Sequence, residues 1–159
     1  MGRKENHRRG DKDKMLLVDT EELKIYIDRE PFITVKSPLH YDKEELKKPY
    51  LNKTRCMFTI FYKDEQFVIC CEKGYDWDGA SIPFGFRWLI GAKGSPQFLV
   101  PSMVHDKLCE NHSFIKNDRY LSSLILRELL IAYGVGKFKA NVMFNAVDNF
   151  QKLFGGWDD

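Results

Sequence analysis

The hydrophobic periodicity of this chain changes once, near residue 95, and that change restricts the fold to one class. Before it, apolar and polar residues alternate in short segments such as residues 23–27, which is the period of a half-buried strand. After it, apolar residues recur every three or four positions, as they do in an amphipathic helix. Strands followed by helices are typical of an α+β protein. We therefore predict a small, mostly antiparallel sheet from the N-terminal half, packed on a three-helix C-terminal unit.

The predicted elements follow from this pattern. Strands are expected at 23–27 and 32–35, and a hairpin pairs 56–62 with 66–71 across Lys63-Asp64-Glu65. Residues 42–55 are polar and rich in lysine, which predicts a loop or a short surface helix. Helices are expected from 96 to about 111, where Pro101 would kink or restart the helix, from 117 or 118 to Gly134, and from about 137 to 154. The last two should bury Leu121, Leu124, Ile125, Leu129 and Tyr133, and Phe138, Val142, Met143, Ala146, Val147, Phe150 and Leu153.

Length and charge predict one domain preceded by an arm. A chain of 159 residues, 43% of them hydrophobic, suits a single domain with a substantial core. Residues 1–14 hold six basic and three acidic side chains, a net charge of +3, and no apolar period. We predict a flexible basic arm at 1–14 and one α+β domain at 15–159. Because acidic residues interrupt the basic ones, we expect at most weak contact with nucleic acid through residues 3–14.

Targeting and cysteine patterns exclude several protein classes. The apolar stretch at 15–18 is too short for a signal peptide, and no run approaches the roughly 20 apolar residues of a membrane helix. The cysteines at 56, 70, 71 and 109 lack zinc spacing. They are expected to be reduced, buried thiols, with Cys70 and Cys71 pointing to opposite faces of a strand.

The candidate chemistry lies on the first predicted helix. Ser102, His105, Cys109 and His112 recur on one face, and Leu99, Met103 and Leu108 should mark the buried side. Asp106 lies about 100° around the helix from His105. It is therefore not expected to orient the His105 ring. It would instead bind a cation beside it or accept a hydrogen bond from another backbone segment.

His105 and Asp106 are the candidate catalytic residues, and two interpretations stay open. His105 is either a general base or metal ligand, or a half-buried histidine that bonds a loop carbonyl. Asp76 and Asp78 support the first interpretation, because carboxylates and backbone carbonyls are the ligands that Ca²⁺ and Mg²⁺ prefer. Asp78 and Asp106 are accordingly the candidate metal ligands.

The loop at 78–83 also has two interpretations. Small residues such as Gly79 would let a ligand approach the backbone, and exposed N–H groups would bind an anion. Alternatively, the Asp78 side chain caps a turn and the loop is structural. Ser81 lacks the sequence context of an acyl-transfer nucleophile, while Trp88 belongs to an aromatic group around the loop. The candidate binding residues are therefore Asp78, Gly79, Ser81 and Trp88. We expect the Asp78 loop to meet the His105 helix at the junction of the sheet and the helical unit.

These motifs together resemble an uncharacterised family, a domain of unknown function found in tailed bacteriophages, prophages and bacteria. The matching segments are 31–35, 38–41, 74–83 with D-G-A-S-I-P, Arg87-Trp88, His105 to Cys109 with H-D-x-L, and Ala146-Val147. The chain departs from the family pattern at Cys109, where an aromatic residue is usual. It also has Ser122-Ser123 where an acid is usual early in the second helix. If that acid supports His105, either the support is missing or Asp118 or Asp148 replaces it.

The resemblance implies a phage-type accessory, virion-associated or tail-associated protein that acts through protein–protein contacts, with a protein partner or as a homo-oligomer. Its expected location is the bacterial host cytoplasm or the virion. The alternative is a metal-assisted hydrolase of an ester or amide bond. The H-D pair is locally similar to secreted phospholipase A2, in which the histidine activates water and the next aspartate binds Ca²⁺. Here His105 would act with Asp78 and Asp106, and Ca²⁺ or Mg²⁺ would be the cofactor. The chain lacks that family's disulfides and glycine-rich calcium loop. The sequence leaves open whether the protein is an enzyme.

Overall fold

The computed structural model describes residues 14–79 and 96–158, and its fold is α+β as predicted. The strands are β1 (Met15–Asp19), β2 (Leu23–Ile27), β3 (Ile33–Val35), β4 (Tyr50–Asn52), β5 (Cys56–Tyr62), β6 (Glu65–Cys71) and β7 (Asp76–Trp77). The helices are α1 (Pro96–Glu110), α2 (Arg119–Ala132) and α3 (Lys137–Phe154), with short 3-10 turns at Glu45–Lys47 and His112–Ile115. Of the predicted arm, residues 1–13 lie outside the described part of the chain.

The strands form two antiparallel sheets rather than the single sheet expected. The larger has the order β1-β2-β5-β6, and the smaller has the order β3-β4-β7. The smaller sheet was missed because its strands are two or three residues long, too short to show alternation. β4 lies inside the lysine-rich segment, where Tyr50 and Asn52 point inward and are buried.

The predicted hairpin is present, with a turn one residue shorter than expected. β6 begins at Glu65, so only Lys63 and Asp64 connect the strands. Both residues have positive φ, 49° and 62°. This geometry matches a two-residue primed turn, whose twist suits antiparallel strands. Along β6, Cys71 is buried and Cys70 is half-buried, as expected for neighbours that point to opposite faces.

α1 is the most enclosed helix of the described part. Pro101 lies inside it without ending it. Apolar side chains such as Phe98, Met103 and Leu108 are buried, and so are the polar residues Ser102, His105 and Asp106. Leu99, which was expected on the buried side, is only half-buried. α1 packs against α2 and also contacts β6, so it has no single polar face.

α2 and α3 form the outer part of the helical unit. Asp118 caps α2 through a hydrogen bond from the Leu121 N–H to its side chain, as predicted. α3 packs mainly against α2 and buries Ala140, Met143, Val147 and Gln151. The prediction that Phe138 and Leu153 are buried is wrong, because these side chains are 81% and 74% exposed. A helix with one principal neighbour buries a narrow stripe, and both residues lie outside it. None of the described helices is long and apolar enough to cross a membrane.

Candidate functional site

The segment after the smaller sheet is held against α1 by two buried hydrogen bonds. The Trp77 indole N–H donates to Ser102 Oγ over 3.0 Å, and the Gly79 backbone N–H donates to Asp106 Oδ2 over 2.8 Å. Ser102 and Asp106 are one helical turn apart, so the two bonds lie side by side along α1. The predicted junction between the loop and the helix is therefore present at Gly79. It is made by Asp106 rather than His105.

Gly79 allows this close approach. Its φ is +77°, a left-handed conformation that side-chain-bearing residues rarely adopt. A Cβ atom at this position would lie 3.0 Å from Cζ of Phe98 on α1. Both facts explain why glycine follows Asp78, and they make the backbone of this segment part of the packed interior.

His105 is enclosed in the interior. Its side chain has no exposed area, and burial lowers its pKa from the ordinary 6.5 to about 4. Both ring nitrogens lie 3.9 Å from Cys109 Sγ, one helical turn further on. At neutral pH the imidazole is therefore uncharged and faces a thiol. It has the protonation state of a general base, but it lacks the solvent access that a water-activating base needs.

Asp106 occupies a different environment, although it is the next residue. It is 4% exposed and lines a cavity of about 310 Å³. Part of the lining is Asp78 with three residues of the second half of α1, and the rest comes from the C-terminal end of α3. The described lining residues are Asp78, Asp106, Cys109, Glu110, Phe150, Gln151, Phe154 and Gly155. His105 is not among the described residues that line it. The candidate residues Asp78 and Asp106 thus line one cavity, whereas His105 is buried behind Cys109, which also lines it.

The wall formed by the end of α3 is held in place by the segment that follows this helix. The Trp157 indole N–H donates to Gln151 Oε1 over 3.1 Å, and its ring stacks on His112 with centroids 3.6 Å apart. A Cβ atom at Gly155 would lie 2.7 Å from the Gln151 backbone oxygen, which cannot move aside without shifting the helix end, so glycine is favoured there. Sequence reasoning missed this wall. A tryptophan directly after Gly155-Gly156 was the available signal, because a large aromatic near a chain end often anchors that end in the fold.

Asp76, which the sequence grouped with Asp78, belongs to a separate ion pair. Its carboxylate accepts a hydrogen bond from Lys36 Nζ over 2.7 Å, and Lys36 also donates to the backbone oxygen of Glu45. The Lys36 side chain is only 4% exposed, so this pair satisfies a buried ammonium group. Asp76 therefore holds the smaller sheet to the turn at Glu45–Lys47.

The nearest lysine on α1 is already engaged. Lys107 Nζ binds the Glu72 carboxylate at 2.7 and 2.9 Å and lies 4.4 Å from the centroid of the Tyr75 ring. The Lys107 ammonium lowers the pKa of Glu72. Burial raises the pKa of Tyr75, and the negative charges of Glu110 and Asp106 add to that rise. Tyr75 thus remains a neutral phenol behind the acidic wall.

Asp118 and Asp148, which were proposed to support His105, have other contacts, and so does Ser102, which was expected on the same helix face as His105. Asp118 caps α2. Asp148 pairs with Arg119 and accepts a hydrogen bond from the Ser123 hydroxyl over 2.9 Å. Ser102 accepts the Trp77 bond and donates to the Leu99 backbone oxygen over 3.1 Å. These observations assign all three residues to the framework of the helical unit.

The remaining candidates concern metal binding and the loop that follows Gly79. Within residues 14–79 and 96–158, no group of three His, Cys, Asp or Glu side chains lies close enough to hold a metal ion. Asp78 and Asp106 nevertheless share the cavity wall. Ser81 and Trp88, the other predicted binding residues, lie outside the described residues.

A comparison with models of protein families identifies the family of this chain. Residues 55–147 match the model of a family described as a protein of unknown function (DUF1353). This span includes β5, β6, β7, α1 and α2, and hence both sides of the junction at Gly79 and Asp106. No curated protein and no solved structure matches the chain.

Proposed function

The chain belongs to this DUF1353 family of unknown function, and from that premise we propose that it acts through contacts with a protein partner, as a phage-type accessory or virion-associated protein. The observation that carries the proposal is a pair of exposed apolar side chains at the end of α3. Leu153 and Phe154 are 74% and 73% exposed, and Phe154 also lines the cavity. We call Leu153 and Phe154 the rim. Adjacent exposed apolar side chains beside a cavity are typical of a contact surface.

The environment of His105 supports a binding role for the site. A histidine with no exposed area and a pKa of about 4 is a neutral polar group of the interior at neutral pH. The shorter of the two described hydrogen bonds of the junction uses the Asp106 carboxylate to hold the backbone of Gly79. His105 and Asp106 thus both have structural roles that require no substrate.

The rim can be tested against a matched position on the same helix. Phe138 lies at the opposite end of α3 and is 81% exposed, so Phe138→Ser controls for the loss of an exposed phenylalanine. We expect Phe154→Ser and Leu153→Ser to abolish association with virions of the encoding phage, measured by proteomics of purified particles. Phe138→Ser should leave association unchanged.

Light scattering after size-exclusion chromatography separates a foreign partner from a second copy. A self-association that Leu153→Ser disrupts would place a homo-oligomer on the rim. A monomer that is absent from purified particles would end the proposal.

A metal-assisted hydrolase is the second candidate, and the shared cavity wall favours it. Asp78 and Asp106 line one accessible cavity, and carboxylate oxygens are the ligands that Ca²⁺ and Mg²⁺ prefer. Calorimetric titration with Ca²⁺, Mg²⁺ and Zn²⁺ should then give saturable binding that Asp106→Asn weakens at least tenfold. Absence of binding would remove this candidate. A loss of ester or amide hydrolysis in His105→Ala would count only if the variant remained folded.

A further inference from the structure

α3 carries a second apolar stripe besides the one that it buries. Every fourth residue from 138 to 150 is apolar, and the four are Phe138, Val142, Ala146 and Phe150. We call these four residues the row. Residues spaced by four form one ridge on a helix surface, and successive residues point about 100° apart. By this geometry the row is centred about 120° around α3 from Val147, which belongs to the buried stripe. The row therefore does not face α2, the main described neighbour of α3.

The row is accessible from one end to the other. Phe138 is 81% exposed, and the other three residues of the row are half-buried. On its solvent side the row is bordered by Asn145 and Asn149, which are exposed and uncharged. An apolar surface with a polar border is typical of a site of contact with another protein.

The row is complementary to a copy of itself. In an antiparallel pair of helices related by a two-fold axis, each position meets an equivalent position of the other copy. With the axis midway between Val142 and Ala146, these two residues lie opposite each other, and Phe138 lies opposite Phe150. Small side chains at the centre keep the helix axes close, because the interaxial distance depends on the side chains at the contact. The phenylalanines then cover both ends of the contact.

Charge favours the antiparallel orientation of such a pair. Lys139 is exposed and lies seven residues before Ala146, so it is on the same side of α3 as the row. Glu110 is exposed and lines the cavity together with Phe150, so its carboxylate lies near the other end of the row. An antiparallel pair brings Lys139 of each copy towards Glu110 of the other. A parallel pair would place the two lysines side by side, and like charges in contact weaken association.

We infer that α3 forms the contact between two copies of this chain, with the two rows packed antiparallel and Lys139 of each copy facing Glu110 of the other. The inference goes beyond the proposed function, because the row and the rim are different surfaces. Helices that pack through ridges of this kind cross at about −50°, so their ends diverge. Phe154 lies ten residues from the axis, about 15 Å along the helix, and stays available to a virion partner.

Sedimentation equilibrium of the full-length chain tests the contact. We expect a monomer–dimer equilibrium whose mass approaches twice the 18.7 kDa of one chain. Phe138→Ser should weaken the dimer at least tenfold without loss of the fold, because this side chain is largely exposed. Phe154→Ser is the matched control, since it removes an exposed phenylalanine of α3 that is not in the row. It should change the dissociation constant less than twofold.

Two results of this experiment would overturn the inference. One is a wild-type chain that stays monomeric at about 0.1 mM, where a complex with a micromolar dissociation constant is almost fully formed. The other is a dimer that Phe154→Ser weakens as much as Phe138→Ser does, because the second copy would then lie on the rim.

Charge reversal tests the orientation. Lys139→Glu should weaken the dimer several-fold, and Lys139→Glu combined with Glu110→Lys should restore it, because the two positions then again carry opposite charges. Lys137→Glu is the matched control. Lys137 is also exposed, but it points about 200° away from Lys139. Equal weakening by the two lysine substitutions, or a double variant that stays as weak as Lys139→Glu, would contradict the inference.

Failure of this inference is distinguishable from failure of the proposed function. A monomeric wild-type chain that is recovered in virions would remove the second copy and keep the virion contact. A dimer that is absent from virions would keep the second copy and end the proposed function. If both proposals hold, Phe138→Ser is monomeric and still associates with virions, whereas Phe154→Ser is dimeric and does not.

Discussion

His105 and Asp106 are neighbours in sequence but have opposite environments in the fold. His105 is fully enclosed, uncharged at neutral pH and next to a thiol. Asp106 holds the Gly79 backbone and lines a cavity with other carboxylates. The difference follows from helix geometry, since successive residues point about 100° apart. On a helix enclosed on most sides, that rotation places one residue in the core and the next at the edge of an accessible cavity.

This difference changes how the H-D motif is understood. In the described contacts the two side chains have different partners, because His105 lies beside Cys109 and Asp106 accepts a hydrogen bond from the Gly79 N–H. His105 contributes to the packed interior shared with α2, whereas Asp106 connects α1 to the segment that follows β7. Substitutions of the buried residues and of the residues around the cavity should therefore change the free energy of unfolding by different amounts. The pH dependence of these changes should also differ.

The largest loss in the free energy of unfolding is expected for substitution of Trp77, which anchors the junction in the core. Trp77 is fully buried, stacks near Tyr50 and Tyr75 with centroids 5.7 Å from each, and donates to Ser102. Trp77→Ala should lower the free energy of unfolding by about 3–5 kcal/mol, measured by urea denaturation. Trp77→Phe should cost clearly less, because it keeps an aromatic ring. Equal costs would show that the hydrogen bond, rather than ring packing, dominates.

The buried His105 should also give the free energy of unfolding a distinct pH dependence. The pKa of His105 is about 4 in the folded chain and near 6.5 when it is unfolded. The unfolded chain therefore binds the additional proton between these values, and stability falls as pH decreases from about 6.5 to 4. The loss is about 3 kcal/mol. His105→Gln should remove this component of the stability profile.

The control for this pH dependence is His40→Gln, because His40 is exposed. It should leave the profile of unfolding free energy against pH unchanged. A His105→Gln profile parallel to that of the wild type from pH 7 to 4 would contradict the burial of a neutral imidazole.

For substitutions of Asp106, which lines the cavity, the loss in the free energy of unfolding should depend on whether the new side chain can still accept the hydrogen bond from the Gly79 N–H. Asp106→Ala leaves a buried backbone N–H without its acceptor and should cost about 1–3 kcal/mol. Asp106→Asn keeps an oxygen at this position and should cost less. Thermal unfolding of both variants measures the difference. If Asn is as costly as Ala, the charge of Asp106 is essential to the junction.

The smallest effect is expected at the rim. Because Phe154 is 73% exposed, Phe154→Ser should change the free energy of unfolding by no more than about 0.5 kcal/mol. The same holds for Phe138→Ser, its control on α3. A much larger cost for Phe154→Ser alone would mean that this ring supports the fold, and it would weaken the rim as a contact surface.

Much of the fold could be predicted from local pattern. The hairpin, the Asp118 cap and the limits of α3 depend on turn chemistry and periodicity, which neighbouring residues determine. The burial of Phe138 and Leu153 could not be predicted, because periodicity gives the direction of an apolar stripe but not its width. That width depends on how many elements pack against the helix. The two-residue strand β7 likewise exists only because β4 is beside it.

The sequence by itself determined the α+β class, the family resemblance and the approach of the Asp78 segment to α1, because these depend on period, motif and chain order. Only the tertiary structure decided which polar residues share a site. It separated His105 from Asp106 and directed Asp76 to Lys36. It also brought the end of α3, more than forty residues after Asp106, to the acidic wall. Such proximity depends on packing between distant segments, and no local pattern records it.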